Sequence, residues 1–357
     1  MFFPHEARVV DRRNPWFVIA KNLCIWGYRH LVTPHLEIDP ALATLKRQQP
    51  ATVFLYAGLH KSLWETSGLL PALYLTGFPV PLVAMGDNLV NGKFFQDIAK
   101  KCSVFLIKRP RDGKNVIESA RRFKEDIVHY FRHGIDLLFF PEGTRKNIPD
   151  HGRYGDFYPA AFEGALQYER TKRDPAILIP DIGAFPVAVV PVNVDYVRVR
   201  EAREMVLHKQ KRARTLHVLD SISMLKNIGD VYISFGAPIT LADHPTINRK
   251  ELAALARERC LDLVKILPVN LAANALVRAA ARGDLRRESI LAELTEMRAQ
   301  VAPFAARFRG FSAADPAERI WNAAVASEPA LRAPKAEDLP LYHLYASYTA
   351  HYLPLPD

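Results

Sequence analysis

The chain has 357 residues, of which 49% are hydrophobic and 24% are charged, a composition typical of a folded globular protein and not of a disordered one. Its formal net charge of +10 favours an anionic partner, whether a phospholipid headgroup, a phosphorylated substrate or nucleic acid. The three cysteines include no Cys-x-x-Cys pair, which excludes a disulfide framework and a cysteine-based zinc site. We therefore expect a reducing compartment.

No membrane-spanning segment is predicted from the sequence. A spanning helix needs roughly 20 consecutive apolar residues. The best candidate, Leu69–Met85, is shorter and contains Pro71, Pro79 and Pro81. The first residues, MFFPHEARVVDRR, carry charges where a secretory signal would need an apolar stretch. We expect a cytoplasmic protein that attaches peripherally to the inner face of a membrane.

Residues 1–49 are predicted to form an N-terminal helical segment, and residues 50–245 alternate short β-rich runs with helical patterns. This alternation indicates the α/β class, with a mostly parallel sheet flanked by helices. One helix, Asn115–His133, places an apolar stripe of Phe123, Ile127 and Phe131 toward the sheet. The predicted strands are Thr52–Tyr56, Pro81–Met85, Ser103–Ile107, Asp136–Phe140, Val187–Val194 and Val231–Phe235.

Residues 246–357 are predicted to form a helical C-terminal extension, because the composition changes to Ala, Leu, Arg and Glu. Helices are expected at Arg249–Ile266, Leu271–Arg282 and Arg286–Gln300. A last aromatic segment, Leu341–Leu353, could be amphipathic and is an alternative membrane-inserting element.

The first chemical motif is LHKSLWE, in which His60 follows a predicted strand and Glu65 lies at the start of a helix. A histidine deprotonates an alcohol well near neutral pH, and a carboxylate on its other ring nitrogen fixes the tautomer. Taken alone, the pair is also compatible with a surface histidine beside a helix-start glutamate.

Two further motifs each follow a predicted strand. FLIKRPRDGK places Lys108 and Arg109 after an apolar run, where cations suit a phosphate but also suit a solvated turn. LLFFPEGTRK combines a carboxylate, a flexible glycine, a hydroxyl and a guanidinium, which suits a glycerol phosphate. Its polar loop consists of Glu142, Gly143, Thr144 and Arg145. In VVPVNVDY, Pro191 interrupts an apolar strand and indicates an edge strand or a shaped pocket wall.

Two other patterns have competing explanations. His129 and His133 have a spacing that could ligate a metal, but no third ligand accompanies them, so no metal site is predicted. Arg198–Arg214 is rich in Lys and Arg and fits either a solvated face or contact with anionic lipid. No motif supports nucleic-acid binding.

In their order and spacing, the four motifs resemble the glycerolipid acyltransferase superfamily. Its signatures are His-x-x-x-x-Asp, a Phe-Ile-Arg-Arg-like block, Phe-Pro-Glu-Gly-Thr-Arg and a Val-Pro-Val-like strand. The resemblance covers Leu59–Tyr196 and extends to GDNLVNGKF at Gly86, GDVYISFGAPITL from Gly229 and KILPVNLAANALVRAA from Lys265. These additional runs are similar to the glycerol-3-phosphate and dihydroxyacetone-phosphate acyltransferase branch.

The resemblance implies the glycerolipid acyltransferase fold for residues 50–245 and transfer of a fatty acyl group in phospholipid biosynthesis. The donor would be acyl-CoA or acyl carrier protein and the acceptor glycerol 3-phosphate or a related phosphorylated compound, with no cofactor and no metal. A lysophospholipid or non-glycerol acceptor, or a catalytically silent relative that binds membranes or acyl chains, is the alternative.

The same resemblance assigns roles to individual residues. His60 would be the general base and Glu65 its orienting partner, although the family has aspartate at the second position. The residues aligned with the phosphate and acceptor site are Lys108, Arg109, Glu142, Gly143, Thr144 and Arg145. Pro191 would form part of a pocket wall.

Overall fold

The structure is a computed structural model. It describes residues 15–62, 65–86, 97, 104–107, 116–143, 154–174, 184–206 and 228–355. The strands are β1 (Val32–Ile38), β2 (Val53–Gly58), β3 (Leu82–Gly86), β4 (Val104–Ile107), β5 (Leu137–Phe139), β6 (Val187–Tyr196), β7 (Gly229–Phe235) and β8 (Ile239–Thr240). The helices before β7 are α1 (Pro15–His30), α2 (Pro40–Gln48), α3 (Glu65–Leu75), α4 (Val116–Arg132), α5 (Ala160–Thr171) and α6 (Ala202–Val206). The helices after β8 are α7 (Arg249–Leu261), α8 (Pro268–Ala281), α9 (Arg287–Val301), α10 (Ala317–Ser327) and α11 (Leu339–Ser347).

The strands form one sheet in the order β1-β7-β6-β2-β5-β3-β4, and β8 pairs beside β6. The β1–β7, β2–β6, β2–β5, β3–β5 and β3–β4 pairs are parallel, whereas β6 runs antiparallel to β7 and β8. The predicted α/β class with a mostly parallel sheet is therefore confirmed. All six predicted strands are present to within two residues at either end.

Strand β1 corrects the prediction that residues 1–49 are helical. It lies between α1 and α2 and pairs with β7 along its whole length, from Val32 opposite Gly229 to Ile38 opposite Phe235. The run VTPHLEI contains Pro34, which argues against a central strand. A proline is tolerated here because β1 has β7 as its single neighbour at the edge of the sheet.

The proposal that Pro191 marks an edge strand is also wrong, because β6 lies in the middle of the sheet with all ten of its residues buried. The N–H and C=O groups of one strand residue point to the same side. The Pro191 carbonyl accepts from Gly236 N at 2.9 Å, beyond the end of the β7 pairing that begins at Val192. An N–H group at residue 191 would face the space between β7 and β8, where β6 has no strand partner. Proline at this position therefore removes no hydrogen bond between strands.

Helix α4 packs as its apolar stripe predicts. Ile127 and Phe131 are buried, and the Phe131 ring meets Tyr168 of α5 edge to face at 5.7 Å. The two helices approach closely at Gly164, where an added Cβ would lie 2.9 Å from Ile127 Cβ. This packing covers one face of β5 and places α4 and α5 beside the carboxyl edge of the sheet.

Helix α7 packs with α4 and α5 on one face of the sheet, whereas helices α8 to α11 share one apolar core with its other face. This core joins Phe54 and Ile233 of the strands to Leu276 and Ile320 of α8 and α10. Helix α8 is central, with 11 of its 14 residues buried. The aromatic segment Leu341–Leu353 is buried against it, so its suggested role as an exposed membrane-inserting element is wrong.

None of the helices in the described ranges has the length and apolar character required to cross a bilayer.

The shared core predicts that damage in a C-terminal helix destabilises the sheet as well. Ile320→Ala removes a fully buried side chain and should lower the free energy of unfolding by about 2–5 kcal/mol. Ile117→Ala, on the 87% exposed residue of α4, is the matched control and should change it by less than about 0.5 kcal/mol. Urea unfolding followed by circular dichroism should remain a single transition in Ile320→Ala; two separated transitions would show that the extension unfolds independently.

Candidate active site

The candidate active site is built where β2 and β5 end. These strands are parallel neighbours, with Ala57 opposite Phe139, so His60 and Glu142 follow them at the same edge. Ligands of open α/β sheets bind at this carboxyl edge. Gly58 permits the close approach of the strands, because an added Cβ would lie 2.8 Å from Val192 Cγ2.

His60 and Glu65 form the pair that the spacing suggested. His60 Nδ1 lies 3.0 Å from Glu65 Oε2, and the imidazole stacks on Phe140 at 4.6 Å between ring centroids. An ionised carboxylate only accepts hydrogen bonds, so Nδ1 carries the proton and donates to it. The other ring nitrogen, Nε2, is then an acceptor, as a general base requires. The side chain of His60 is 18% exposed, whereas Glu65 is 1% exposed.

The second oxygen of Glu65 organises the backbone that follows His60. Oε1 accepts from Lys61 N at 2.7 Å and also from Ser62 N. Since α3 begins at Glu65, the carboxylate lies at the positive end of a helix and turns the preceding loop around itself. The Glu65 carboxylate reaches all three donors, so the methylene that glutamate has in addition to aspartate does not prevent the contact with His60.

Glu142, which follows β5, connects two loops of the site through hydrogen bonds. Its Oε1 accepts from His60 N at 3.0 Å and its Oε2 from Gly155 N at 3.3 Å. Glu142 is itself buried, so both oxygens face protein donors and not bulk solvent. In this structure the residue links the β2 and β5 loops; the predicted contact of Glu142 with an acceptor stays a prediction.

Gly143 is required by the shape of the loop after Glu142. It has a φ of 72°, in the left-handed region that favours glycine. An added Cβ would also lie 2.9 Å from Cε2 of Tyr158, whose exposed ring covers this turn. The absence of a side chain at Gly143 therefore allows the Tyr158 ring to pack against this turn, beside the cavity that contains His60.

A cavity of about 230 Å³ extends from His60 between the sheet and helices α4 and α5. Most of its wall is apolar and comes from β3, β4, β5 and the two helices. The lining consists of His60, Glu65, Thr66, Val83, Ala84, Met85, Gly86, Ile107, Phe123, Phe139, Phe140, Pro141, Gly143, Tyr158, Ala160 and Ala161. Pro191 is not among these described lining residues, so its role as a pocket wall has no support here.

Four of the predicted binding residues lie outside the described residues. They are Lys108, Arg109, Thr144 and Arg145. Strand β4, which precedes Lys108 in the chain, ends at the same edge of the sheet as β2 and β5. The predicted roles of these four residues stay predictions.

The metal explanation for His129 and His133 has no support in the described part of the chain. His133 Nδ1 lies 2.8 Å from the His129 carbonyl oxygen, which makes this nitrogen a donor to the helix backbone. The described residues contain no group of three or more potential metal ligands.

Sequence reasoning missed a buried polar layer directly behind His60. Lys61 forms an ion pair with Asp195 of β6, and Ser62 Oγ donates to Glu201 Oε1 at 2.7 Å. All four side chains are buried. The position of Lys61 beside His60 was a signal, but nothing in the spacing could pair it with a residue 134 positions later.

Two tyrosines, Tyr154 and Tyr196, lie beside this polar layer. Burial raises the pKa of Tyr154 and Tyr196 well above the usual tyrosine value, and neighbouring carboxylates raise it further. Both hydroxyls therefore remain protonated across the physiological range. Tyr154 OH donates to the backbone carbonyl of Tyr348, which connects the loop before α5 to the C-terminal segment.

Comparison with known proteins agrees with the geometry. A family model described as acyltransferase matches residues 43–195. A glycerol-3-phosphate acyltransferase from Pseudoalteromonas atlantica is 28% identical over 225 residues, 61% of this chain and 25% of the relative. Another from Actinobacillus succinogenes is 26% identical over 304 residues, 77% of this chain and 35% of the relative. The chain thus spans about a quarter to a third of the length of these relatives.

Among solved structures, the 1-acyl-sn-glycerophosphate acyltransferase PlsC from Thermotoga maritima aligns at a TM-score of 0.37 and 16% identity, over 70% of this chain and 79% of that one. The family match includes His60, Glu65, Glu142 and Asp195, which the structure brings to one edge of the sheet. Residues 43–195 of this chain are thus similar to the acyltransferase family.

Proposed function

We propose that the chain transfers a fatty acyl group from acyl-CoA or acyl carrier protein to a hydroxyl of glycerol 3-phosphate or a related phosphorylated acceptor, in phospholipid biosynthesis. The observation that carries this proposal is the His60–Glu65 hydrogen bond at the mouth of an apolar cavity, inside an acyltransferase domain. The relatives named glycerol-3-phosphate acyltransferase support the choice of acceptor.

In the proposed reaction, His60 Nε2 takes the proton of the acceptor hydroxyl while the oxygen attacks the thioester carbonyl carbon. The C–O bond forms, the C–S bond breaks, and the thiolate leaves with the proton that His60 returns. Glu65 holds the Nδ1 proton and stabilises the imidazolium between these steps. The thioester is a co-substrate, and the proposed route uses neither an acyl-enzyme nor a metal or prosthetic group.

The alternative of a silent relative rested on Glu65 replacing the aspartate of the family. The hydrogen bond of 3.0 Å between His60 and Glu65 supports a competent pair, because the orienting carboxylate reaches the correct ring nitrogen. The predicted phosphate contacts of Lys108, Arg109 and Arg145, which follow β4 and β5 in the chain, remain part of the proposal.

Substitutions of the pair test the chemistry. His60→Ala should lower kcat by about 100-fold to 10,000-fold, the usual contribution of a general base. Glu65→Gln should also be severely impaired, because an amide cannot stabilise the imidazolium, whereas Glu65→Asp should retain measurable activity. The assay is acyl transfer from a labelled acyl thioester to glycerol 3-phosphate, lysophosphatidate and non-phosphorylated alcohols.

Each variant should keep the circular dichroism spectrum of the wild type and unfold in urea in one transition, at a midpoint lowered only by the hydrogen bonds lost at Glu65, which separates lost chemistry from lost folding. Near-normal turnover by folded His60→Ala protein would remove the proposed mechanism. Transfer to lysophosphatidate in preference to glycerol 3-phosphate would change the acceptor and leave the chemistry intact.

The cavity is proposed to hold the acyl chain of the donor. It begins at His60, its wall is mostly apolar, and Val83, Ile107 and Phe123 line it from three different elements. Burying methylene groups against such a wall is favourable by about 0.8 kcal/mol each. The reacting carbonyl would then lie beside His60 with the chain directed between the sheet and α4.

Opposite changes of cavity size should shift chain-length preference in opposite directions. Ala84→Leu narrows the cavity and should lower kcat/KM for sixteen-carbon donors relative to eight-carbon donors by about 10-fold or more, since one misfitting methylene costs 10-fold to 200-fold. Phe123→Ala widens it and should improve the longest donors relative to the shorter ones. The measurement is kcat/KM over a series of acyl-CoA chain lengths; the same shift in both variants would place the acyl chain elsewhere.

Peripheral attachment to an anionic membrane is proposed through α1. This helix has no acidic residue, and Ile19 and Trp26, seven residues apart on one face, are 52% and 47% exposed. Exposed Arg29 lies near its carboxyl end. In the basic stretch proposed earlier, Arg198 and Arg203 instead contact carboxylates of the C-terminal region, and residues 207–227 lie outside the described residues.

Vesicle co-sedimentation tests this surface. Binding should rise with anionic lipid content and fall as salt is raised, because each cation near the bilayer contributes about 1 kcal/mol within a Debye length of roughly 8 Å. Ile19→Ser should weaken binding, whereas Ile117→Ser, at an even more exposed isoleucine on α4, should leave it unchanged. Equal loss in both variants, or binding that ignores lipid charge, would contradict attachment through α1.

A further inference from the structure

Lys61 is buried immediately beside the proposed base. Its side chain is 1% exposed and its Nζ is paired with Asp195 Oδ1. The parallel register of β2 and β6 explains the pairing, since Gly58 lies opposite Val192 and the two charged residues each follow three positions later. Lys61 is not among the described residues that line the cavity beside His60.

The carboxylate that receives Lys61 is itself fixed. Asp195 Oδ2 accepts from Asn193 Nδ2 at 2.6 Å and from Lys265 N at 2.8 Å. These donors come from β6 and from the segment that enters α8. These two hydrogen bonds therefore tie Asp195 to its own strand and to the segment before α8.

Two tyrosines enclose the ammonium group. Lys61 Nζ lies 5.7 Å from the ring centroids of both Tyr154 and Tyr348, within the range of cation–π attraction. Tyr348 OH also donates to the Lys61 carbonyl oxygen at 3.4 Å. The backbone N–H of the same lysine donates to Glu65 at 2.7 Å. Lys61 is thus held at its ammonium, its carbonyl and its N–H.

We propose that Lys61 is a positioning residue for the reaction: its ion pair with Asp195 anchors the backbone that holds Glu65, and so sets the Glu65–His60 hydrogen bond. This inference rests on the proposed function of His60 as the base. The consequence is that the ion pair affects turnover without touching either substrate. A positional error of about 1 Å in a catalytic group can cost about 100-fold in rate.

A pair of variants separates positioning from stability. Lys61→Met leaves the carboxylate of Asp195 buried without its cation, so both the urea midpoint and kcat should fall. Adding Asp195→Asn removes that charge as well, so the double variant should regain most of the midpoint. Its kcat should remain about 10-fold to 100-fold low, because the anchor is still absent. KM for palmitoyl-CoA and for glycerol 3-phosphate should stay within about threefold of wild type in both.

Lys172→Met is the matched control. Lys172 is 10% exposed and its ammonium pairs with Glu169 at 2.7 Å, just beyond the end of α5 and outside the Lys61–Asp195 network. This variant should lower the urea midpoint while kcat stays near the wild-type value. Equal losses of kcat in Lys172→Met and Lys61→Met would show that general destabilisation explains the effect and would overturn the proposal.

A spectroscopic readout makes the test independent of turnover. In protein labelled with ¹⁵N-histidine, the Nδ1 proton of His60 should give a downfield signal that His60→Ala removes. Lys61→Met with Asp195→Asn should shift this signal upfield or abolish it. An unchanged signal, or recovery of kcat together with the midpoint in the double variant, would leave Lys61 with a purely structural role. If the wild type transferred no acyl group, the proposed function would fail, while this signal would still decide the positioning.

Discussion

The buried carboxylate of Glu65 is the constraint on which the site depends. A carboxylate that is 1% exposed is costly unless hydrogen bonds replace the lost water. Here the donors are His60 Nδ1, Lys61 N and Ser62 N, all from the five residues that precede it. Satisfying this one group therefore fixes both the path of the loop and the tautomer of the imidazole. The longer glutamate side chain still reaches the ring nitrogen because the loop wraps around it.

The sheet brings residues from distant parts of the chain to the loop that contains His60. Strands β2, β5 and β6 are adjacent and parallel, so they bring the partly buried His60 and the buried Glu142 and Asp195 to the same edge. Glu142 ties the β2 loop to the segment before α5, and Asp195 ties it to β6 through Lys61. These links restrict the position of His60, which suits its proposed role as a general base.

The C-terminal helices belong to the same structural unit as the site. Helices α8 to α11 lie beyond residues 43–195, yet they share the apolar core of the sheet, and Tyr348 after α11 contacts the loop that follows β2. Tyr345 of α11 adds a buried link, since its hydroxyl donates to Glu328 at 3.0 Å and accepts from Val199 N at 3.0 Å. The helices α8 to α11 thus pack directly against the sheet that carries the site, which the motifs alone did not reveal.

Local sequence determined a large part of this structure. Apolar runs of the correct length located six strands, because strands buried on both faces must be continuously apolar. The His60–Glu65 pair was predictable because His60 follows a strand and Glu65 begins the next helix only five positions later. The resemblance to acyltransferases, based on short motifs, was confirmed for residues 43–195.

The remaining features depend on which distant segments of the chain become neighbours, so only the tertiary structure decided them. Strand β1, with Pro34 and His35 in it, is recognisable only once β7 lies beside it. Pro191 is tolerated in a central strand because it lies between the residues of β6 that pair with β7 and those that pair with β8. No strand residue there needs the N–H that proline lacks. The ion pair between Lys61 and Asp195 joins residues 134 positions apart, and only the parallel register of β2 and β6 brings them together.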